Sequence, residues 1–347
     1  MNAKLKMNNS PHKLSNNSTK TIMRDVIIAL MPALIAGVIF FGLYALMIVC
    51  ITVLTCVASE FIYNKIRKKP VTVFDLSAVV TGIILGLNLP PHSPIYIPII
   101  GGVFAIIIVK MLFGGLGKNF ANPAATARVF LLLGYASMTK WIVPFDLTIG
   151  STYLSSGIYA TTLDTTFWGF TGFKALNLQL FFGAVGGSIG ETSALAILIG
   201  FAYLTYRKVI DIRITLTVIF SAAFFALVFS GSINYVLPQL LSGGLMFGAV
   251  FMATDYSTSP MTVYGKIIFA FGIGLITMLI RYYGTYPEGM SLAIVFMNLL
   301  VPLMDKYILP VRFGEKRKTA LPWICNCTLM GMAIVLIIGG LTTCGKF

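Results

Sequence analysis

Residues 25–65, DVIIALMPALIAGVIFFGLYALMIVCITVLTCVASEFIYNK, decide the fold. One crossing of a bilayer core takes about 20 apolar residues. This run is too long for one crossing and breaks at Phe41-Gly42, so it predicts two helices, about 25–41 and 43–62. Continuous apolar runs are helical signals, because an outer-membrane barrel strand alternates weakly and is only about ten residues long. Across all 347 residues, 57% hydrophobic content, 10% charge and a mean hydropathy of +0.90 exclude a water-facing globular surface.

Working outward, a basic turn, KIRKKP, precedes a short third segment, Asp75 to Leu89, which stops partway through the bilayer at Pro90-Pro91. A fourth segment spans about 96–113 and a fifth about 124–137. Beyond an interruption at 138–180, spans are expected at about 181–204, 214–230, 236–253, 265–281 and 289–304, and an eleventh apolar segment at 321–341. Residues 1–24 are polar and Asn/Lys-rich with no small-residue cleavage site, and are expected to remain as a cytoplasmic tail. Residues 305–320 form a basic cytoplasmic segment.

The net charge of +14 is explained by orientation rather than by nucleic acid, because the basic residues cluster between spans. With the N-terminus in the cytoplasm, nineteen of the 25 Lys and Arg residues fall inside, only Lys140, Lys174, Arg281 and Lys346 fall outside, and Lys110 and Arg128 lie within spans. The 138–180 stretch is then external. The first five-span half begins inside and the second begins outside, so any kinship between residues 25–137 and 181–304 is of inverted topology. The third span ends in NLPPHSP and the eighth in TDYSTSP, a faint echo of such a repeat.

Candidate chemistry is sparse. The only histidines are His12 and His92, and the five cysteines (Cys50, Cys56, Cys325, Cys327, Cys344) contain no CxxC, so they read as inert thiols. No phosphate loop or metal-ligand spacing occurs. Charges within or beside spans need a partner or a water path. Asp75 and Asp255 stand at span ends, where capping competes with an ion-path role. Glu191 lies deeper, among the glycines of GGSIGETSALAILIG. GGLGKNFANPAATARVF combines flexible glycines with Lys118, Asn119, Asn122 and Arg128. Either it holds an anion or the edge of a planar group, or it is a turn with an N-cap and Pro123 in the first helical turn.

Six blocks carry a resemblance: SPHKLSNNSTKTIMRDVIIALMPALIAG, KKPVTVFDLSAVVTGIILGLNLPP, FGGLGKNFANPAATARVFLL, GGSIGETSALAILIG, FMATDYSTSPMT and EGMSLAIVFMNLLVPLMDKY. In this order, over roughly residues 10–315, they resemble the RnfD/NqrB family, and within it the RnfD proteins of clostridial type. The resemblance implies an all-α polytopic membrane protein of ten transmembrane helices in two inverted five-helix repeats, similar to urea-channel proteins, to which 321–347 adds a further helix. It implies a membrane component of the Rnf complex, a redox-driven Na⁺ or H⁺ pump in the cytoplasmic membrane, inactive alone and passing electrons between ferredoxin and NAD. The implied partners are the other members of that complex: the flavin-bearing RnfG, the membrane proteins RnfA and RnfE, the NADH-binding RnfC and the ferredoxin-accepting RnfB. A flavin transferase is implied as well.

The resemblance also implies FMN esterified to an external threonine in a D-G-x-S-G-A-T pattern. The local segment SSGIYATTL places Ala160 and Thr161 there, with Ser155, Ile158 and Tyr159 replacing the pattern's Asp, Ser and Gly. DLTIGST, ending at Thr152, is the second candidate. A non-covalent flavin such as riboflavin is implied by analogy. Asp255, Glu191 and Asp75 are the candidate ion-path carboxylates. The competing readings are a passive small-solute channel or transporter without flavin, and a scaffold that only docks partners.

Overall fold

The computed structural model describes residues 18–135, 138, 141–142, 149–150, 166–167, 170–183, 185–284 and 289–308. Helix α1 spans Thr19–Phe41 and α2 Leu43–Ile66. Ser18 starts α1 by accepting the Thr21 N–H at 3.3 Å. The expected break falls at Gly42, whose φ of 79° is open to glycine and whose N–H closes α1 onto the Val38 carbonyl.

After a 3₁₀ turn, Val73–Asp75, α3 spans only Ser77–Leu87 and is buried along nearly its whole length. Eleven residues rise about 16 Å, roughly half a bilayer core. The chain then turns at Pro90-Pro91, and Tyr44 holds the turn by donating to the Ser93 carbonyl at 3.2 Å and stacking on His92. Helix α4, Tyr96–Val103, continues as a π-helix over Phe104–Met111, and α5 spans Pro123–Gly134.

Of the stretch between the halves, the described residues form two short antiparallel pairs, Trp141–Ile142 with Ile149–Gly150 and Thr166–Phe167 with Phe170–Thr171. They also form α6, Phe173–Phe182, where the sequence reads as loop up to residue 180. Thr152, Ala160, Thr161, the tail at 1–17 and the segment 321–347 lie outside the described residues.

The expected sixth span, 181–204, is not one helix. Helix α6 ends at Gly183, and α7 begins only at Ala194 and runs to Tyr206. Between them the glycine-rich backbone lies against the end of α3, with Ile189 N–H donating to the Leu89 carbonyl at 3.2 Å and Gly190 N–H to the Leu87 carbonyl at 2.7 Å. A Cβ on Gly190 would stand 2.7 Å from Leu87 Cβ, so only glycine permits this approach.

Helix α8 spans Ile212–Ser230. The expected eighth span is bent by 65°: α9, Val236–Leu241 with its leading 3₁₀ turn, gives way to α10, Leu245–Phe247, which continues as a π-helix to Met252. Helices α11, Val263–Tyr283, and α12, Met290–Tyr307, complete the described chain. Among the described residues, five helices are long and apolar enough to cross a membrane, the bent pair makes a sixth, and α3, α4, α5 and α7 are shorter apolar helices. Helix α8 packs on α11, α2 on α3 and α4, and α1 on α7, around one extended apolar core.

Candidate functional site

The site is built around Asn122. This residue ends the GGLGKNFAN loop in an extended conformation, and its Oδ1 accepts the N–H groups of Ala124 and Ala125 at 3.0 and 3.3 Å, with Pro123 opening α5. The N-cap reading of this segment therefore holds. The cap does more than start a helix, because Asn122 Nδ2 donates to the Met252 carbonyl at 3.1 Å. That carbonyl is at the end of the π-helical turns, where widened i→i+5 bonding leaves backbone acceptors for other partners. Asn298 of α12, with its amide turned to satisfy both neighbours, accepts the Asn122 N–H and donates to the Thr258 carbonyl, each at 3.1 Å. One buried asparagine thus joins α5 to the 252–258 turn and to α12.

That turn carries Asp255. Its Oδ2 accepts from Ser257 Oγ at 2.9 Å and from Thr258 Oγ1 at 3.3 Å. Burial pushes the carboxyl above its ordinary value, against the lowering effect of the Ser257 and Thr258 hydrogen bonds. Next to it, the Tyr256 hydroxyl donates to the Val209 carbonyl and ties the turn to the α7–α8 link.

Asp255, Asn119 and Asn122 line one cleft of about 770 Å³, mouth included, between the start of α1, the body of α3 and the α10 π-turns. Its walls are mainly apolar, with Val80, Ile84, Val250 and Phe251 among them, and Ser77, Thr81, Lys110 and Thr254 add polar groups. Asn119 Oδ1 is buried there without a hydrogen-bond partner among the described residues. A buried acceptor of this kind suits a ligand N–H or O–H.

The other sequence candidates sit elsewhere. Glu191 and Arg128 are both buried and line a small internal cavity with Asn88, Gly244 and Ser291. Glu191 lies in the break between α6 and α7 rather than within a helix, and its carboxylate packs directly over Gly244 at the bend of the α9–α10 pair. Asp75, half-buried at the end of the 3₁₀ turn, lines a third space of about 840 Å³, mouth included, beside the α2–α3 link. The structure therefore brings Asn119, Asn122 and Asp255 together, places Glu191 and Arg128 at a second cavity, and sets Asp75 apart.

Sequence reasoning missed the pair Lys110 and Glu60. Lys110 Nζ donates to Glu60 Oε2 at 2.7 Å and to Ser77 Oγ at 2.7 Å, and the two charged side chains are 2% and 1% exposed. The available signal was the demand that Lys110, an ammonium inside a span, find a counter-charge. Fifty residues separate the partners, so no local pattern pointed to Glu60.

The model of the NQR2, RnfD, RnfE family matches residues 6–314. Among curated relatives, the chain is 47% identical over 308 residues to the D subunit of the Na(+)-translocating ferredoxin:NAD(+) oxidoreductase complex of Acetobacterium woodii, covering 87% of this chain and 93% of that one. It is 39% identical over 323 residues to the D subunit of the proton-translocating ferredoxin:NAD(+) oxidoreductase complex of Clostridium ljungdahlii, covering 90% and 96%. To the D subunit of the ion-translocating oxidoreductase complex of Haemophilus ducreyi it is 36% identical over 346 residues, covering 90% and 99%.

Proposed function

Because the chain belongs to the NQR2, RnfD, RnfE family, we propose that it is the D subunit of an ion-translocating ferredoxin:NAD(+) oxidoreductase complex, inactive alone and driving Na⁺ or H⁺ across the cytoplasmic membrane within that assembly. The observation that carries this reading is the near full-length match to relatives of that name. The ten apolar segments among the described residues, six long or bent and four short, are assigned as ten crossings in two inverted halves. The short ones are tolerated because buried backbone needs protein partners rather than full bilayer length. Interrupted helices at the third and eighth positions are the expected sign of a site between inverted repeats.

FMN is assigned to Thr161 by a phosphoester, with Thr152 as the alternative. When bound, the flavin supplies one-electron transfer chemistry. Asn119 and Asn122 stand at the N-terminal end of α5, and they are assigned to another group. A non-covalent flavin such as riboflavin is assigned to the cleft, on the grounds that its apolar walls suit a planar ring and that Asn119 Oδ1 is an acceptor ready for an N–H donor. Asp255 stands at the cleft and Glu191 with Arg128 at the internal cavity, and both carboxylates are assigned to the ion path.

Blue-light fluorescence of the denatured band on a gel tests the covalent flavin, and Thr161→Ala is expected to abolish it. Flavin extracted by acid from that variant is expected to remain, as the non-covalent species. Asp255→Asn and Glu191→Gln are each expected to uncouple ion transport from ferredoxin oxidation in the assembled complex. If both variants pump normally, the ion-path assignment fails. Solute flux through the isolated chain in liposomes, without bound flavin, would favour the channel reading instead.

A further inference from the structure

The Lys110–Glu60 pair lies between two spaces that reach its two ends separately. Glu60 lines the Asp75 space, Lys110 lines the Asp255 cleft, and Ser77, which accepts from Lys110, lines both. A buried ion pair is generally no more stabilising than apolar side chains of the same volume, so packing alone does not account for it. The surroundings of the carboxylate are rich in oxygen. Thr72 donates to Glu60 Oε1 at 2.5 Å and accepts from Asn64 Nδ2 at 3.0 Å, and both Asn64 and Thr72 line the same space as Asp75. Carboxylate and hydroxyl oxygens suit a hard cation. The ammonium occupies the place such a cation would take.

We propose that Glu60 and Lys110 form a cation-for-proton exchange site. A monovalent cation entering from the Asp75 side binds the Glu60 carboxylate in place of the ammonium. One N–H bond of Lys110 breaks, its electron pair stays on Nζ, and the proton passes to water in the cleft. The charge of the site is unchanged, so exchange avoids the cost of an uncompensated buried charge. The other titratable groups around it are Cys56, one turn before Glu60 on α2, Asp75 and Lys69 in the first space, and Asp255 and Tyr256 across the cleft. This deepens the proposed ion-pump reading and rests on it for its role in the cell.

The test uses the purified whole complex in weakly buffered solution with a pH-sensitive dye, without ferredoxin or NAD. Sodium chloride is added against a choline chloride control. The expected result is sodium-dependent release of about one proton per complex, since a lysine ammonium has one proton to lose. Lys110→Arg keeps the ion pair and its hydrogen bonds, but a guanidinium does not deprotonate, so this variant is expected to fold and release none. Glu60→Gln combined with Lys110→Met removes both charges together and is also expected to release none. Release that persists in Lys110→Arg, or no release from the wild type, overturns the proposal. Redox-driven transport measured on the same preparation separates the two readings: transport without sodium-dependent release defeats only the exchange site, and release without transport defeats only the pump assignment.

Discussion

Asn122 does two jobs with one amide, and its truncation should expose both. Asn122→Ala removes an N-cap worth about 1 kcal/mol and leaves the buried Met252 carbonyl without its donor, costing about 1 kcal/mol or more. We expect a clearly lower melting temperature in detergent, measured by gel filtration after heating. The two titrating aspartates outside the spans are expected to act in opposite directions. For Asp211, which caps α8, burial favours a raised carboxyl, but the hydrogen bonds from Lys266 and the Arg213 N–H, together with their charges, win and hold it below its ordinary value. Its stabilisation is therefore complete above the unfolded pKa, about 3.9, and is lost as pH falls through the lower folded value. Asp211→Asn retains a capping oxygen but loses the ion pair. Its stability deficit, about 0.5 kcal/mol for a half-exposed pair, should shrink as the pH is lowered below about 4. Asp255 is held above its ordinary value, so its contribution is full below the unfolded pKa and is lost as pH rises through the folded one. Asp255→Asn should make stability less sensitive to pH on the acid-to-neutral side, which thermal melts across that range will show. Asn122 as a cap was legible from Asn-Pro before an apolar run. Its second bond, to a carbonyl 130 residues away, was not.

At the scale of elements, the breaks carry the information. The bend between α9 and α10 leaves carbonyls at the end of α9, and Arg281 of α11 reaches them, donating through Nη1 to Gln239 O at 2.5 Å and through Nη2 to Ser242 O at 3.0 Å. A helix end within an apolar core needs such partners. Arg281→Met should cost about 2 kcal/mol, and Arg281→Lys should recover only part of it, since an ammonium lacks the fork that spans two acceptors. The contact between α2 and α3 depends on Gly82, where a Cβ would stand 2.7 Å from Val53 Cα. Because that obstacle is backbone, Gly82→Ala is expected to cost about 1–3 kcal/mol in thermal stability. Helix positions were readable because apolar runs and glycine punctuation are local signals. The interruption at 183–193 read as part of a span because its residues are apolar and small. What keeps it from being helical is its pairing with Leu87 and Leu89, a contact across about a hundred residues.

Over the whole molecule, charge asymmetry makes a prediction that the helices alone do not. Cysteines placed at Lys118 and Lys174, in a chain otherwise free of cysteine, should react with an impermeant maleimide from opposite sides of the membrane. Lys118→Cys is expected to label only in inverted vesicles and Lys174→Cys only in right-side-out cells. The reverse pattern for both would overturn the assigned orientation. The candidate site was partly legible at this scale: the loop before α5 and the turn after α10 both stood out as polar punctuation, and the fold closes them on one cleft. The Glu60–Lys110 pair escaped because a sequence shows which charges are buried in spans but not which helix faces which.

The bonds from Ile189 and Gly190 to the end of α3 also bear on biogenesis. Both residues are buried, so their N–H groups need the α3 carbonyls as partners, and the non-helical stretch between α6 and α7 has no stable form until α3 is docked. The chain supplies α3 about a hundred residues earlier, so vectorial synthesis presents the template before the segment that needs it. A split gene expressing the second half without the first should yield a product that the membrane quality-control proteases remove, and supplying the first half in trans should rescue it.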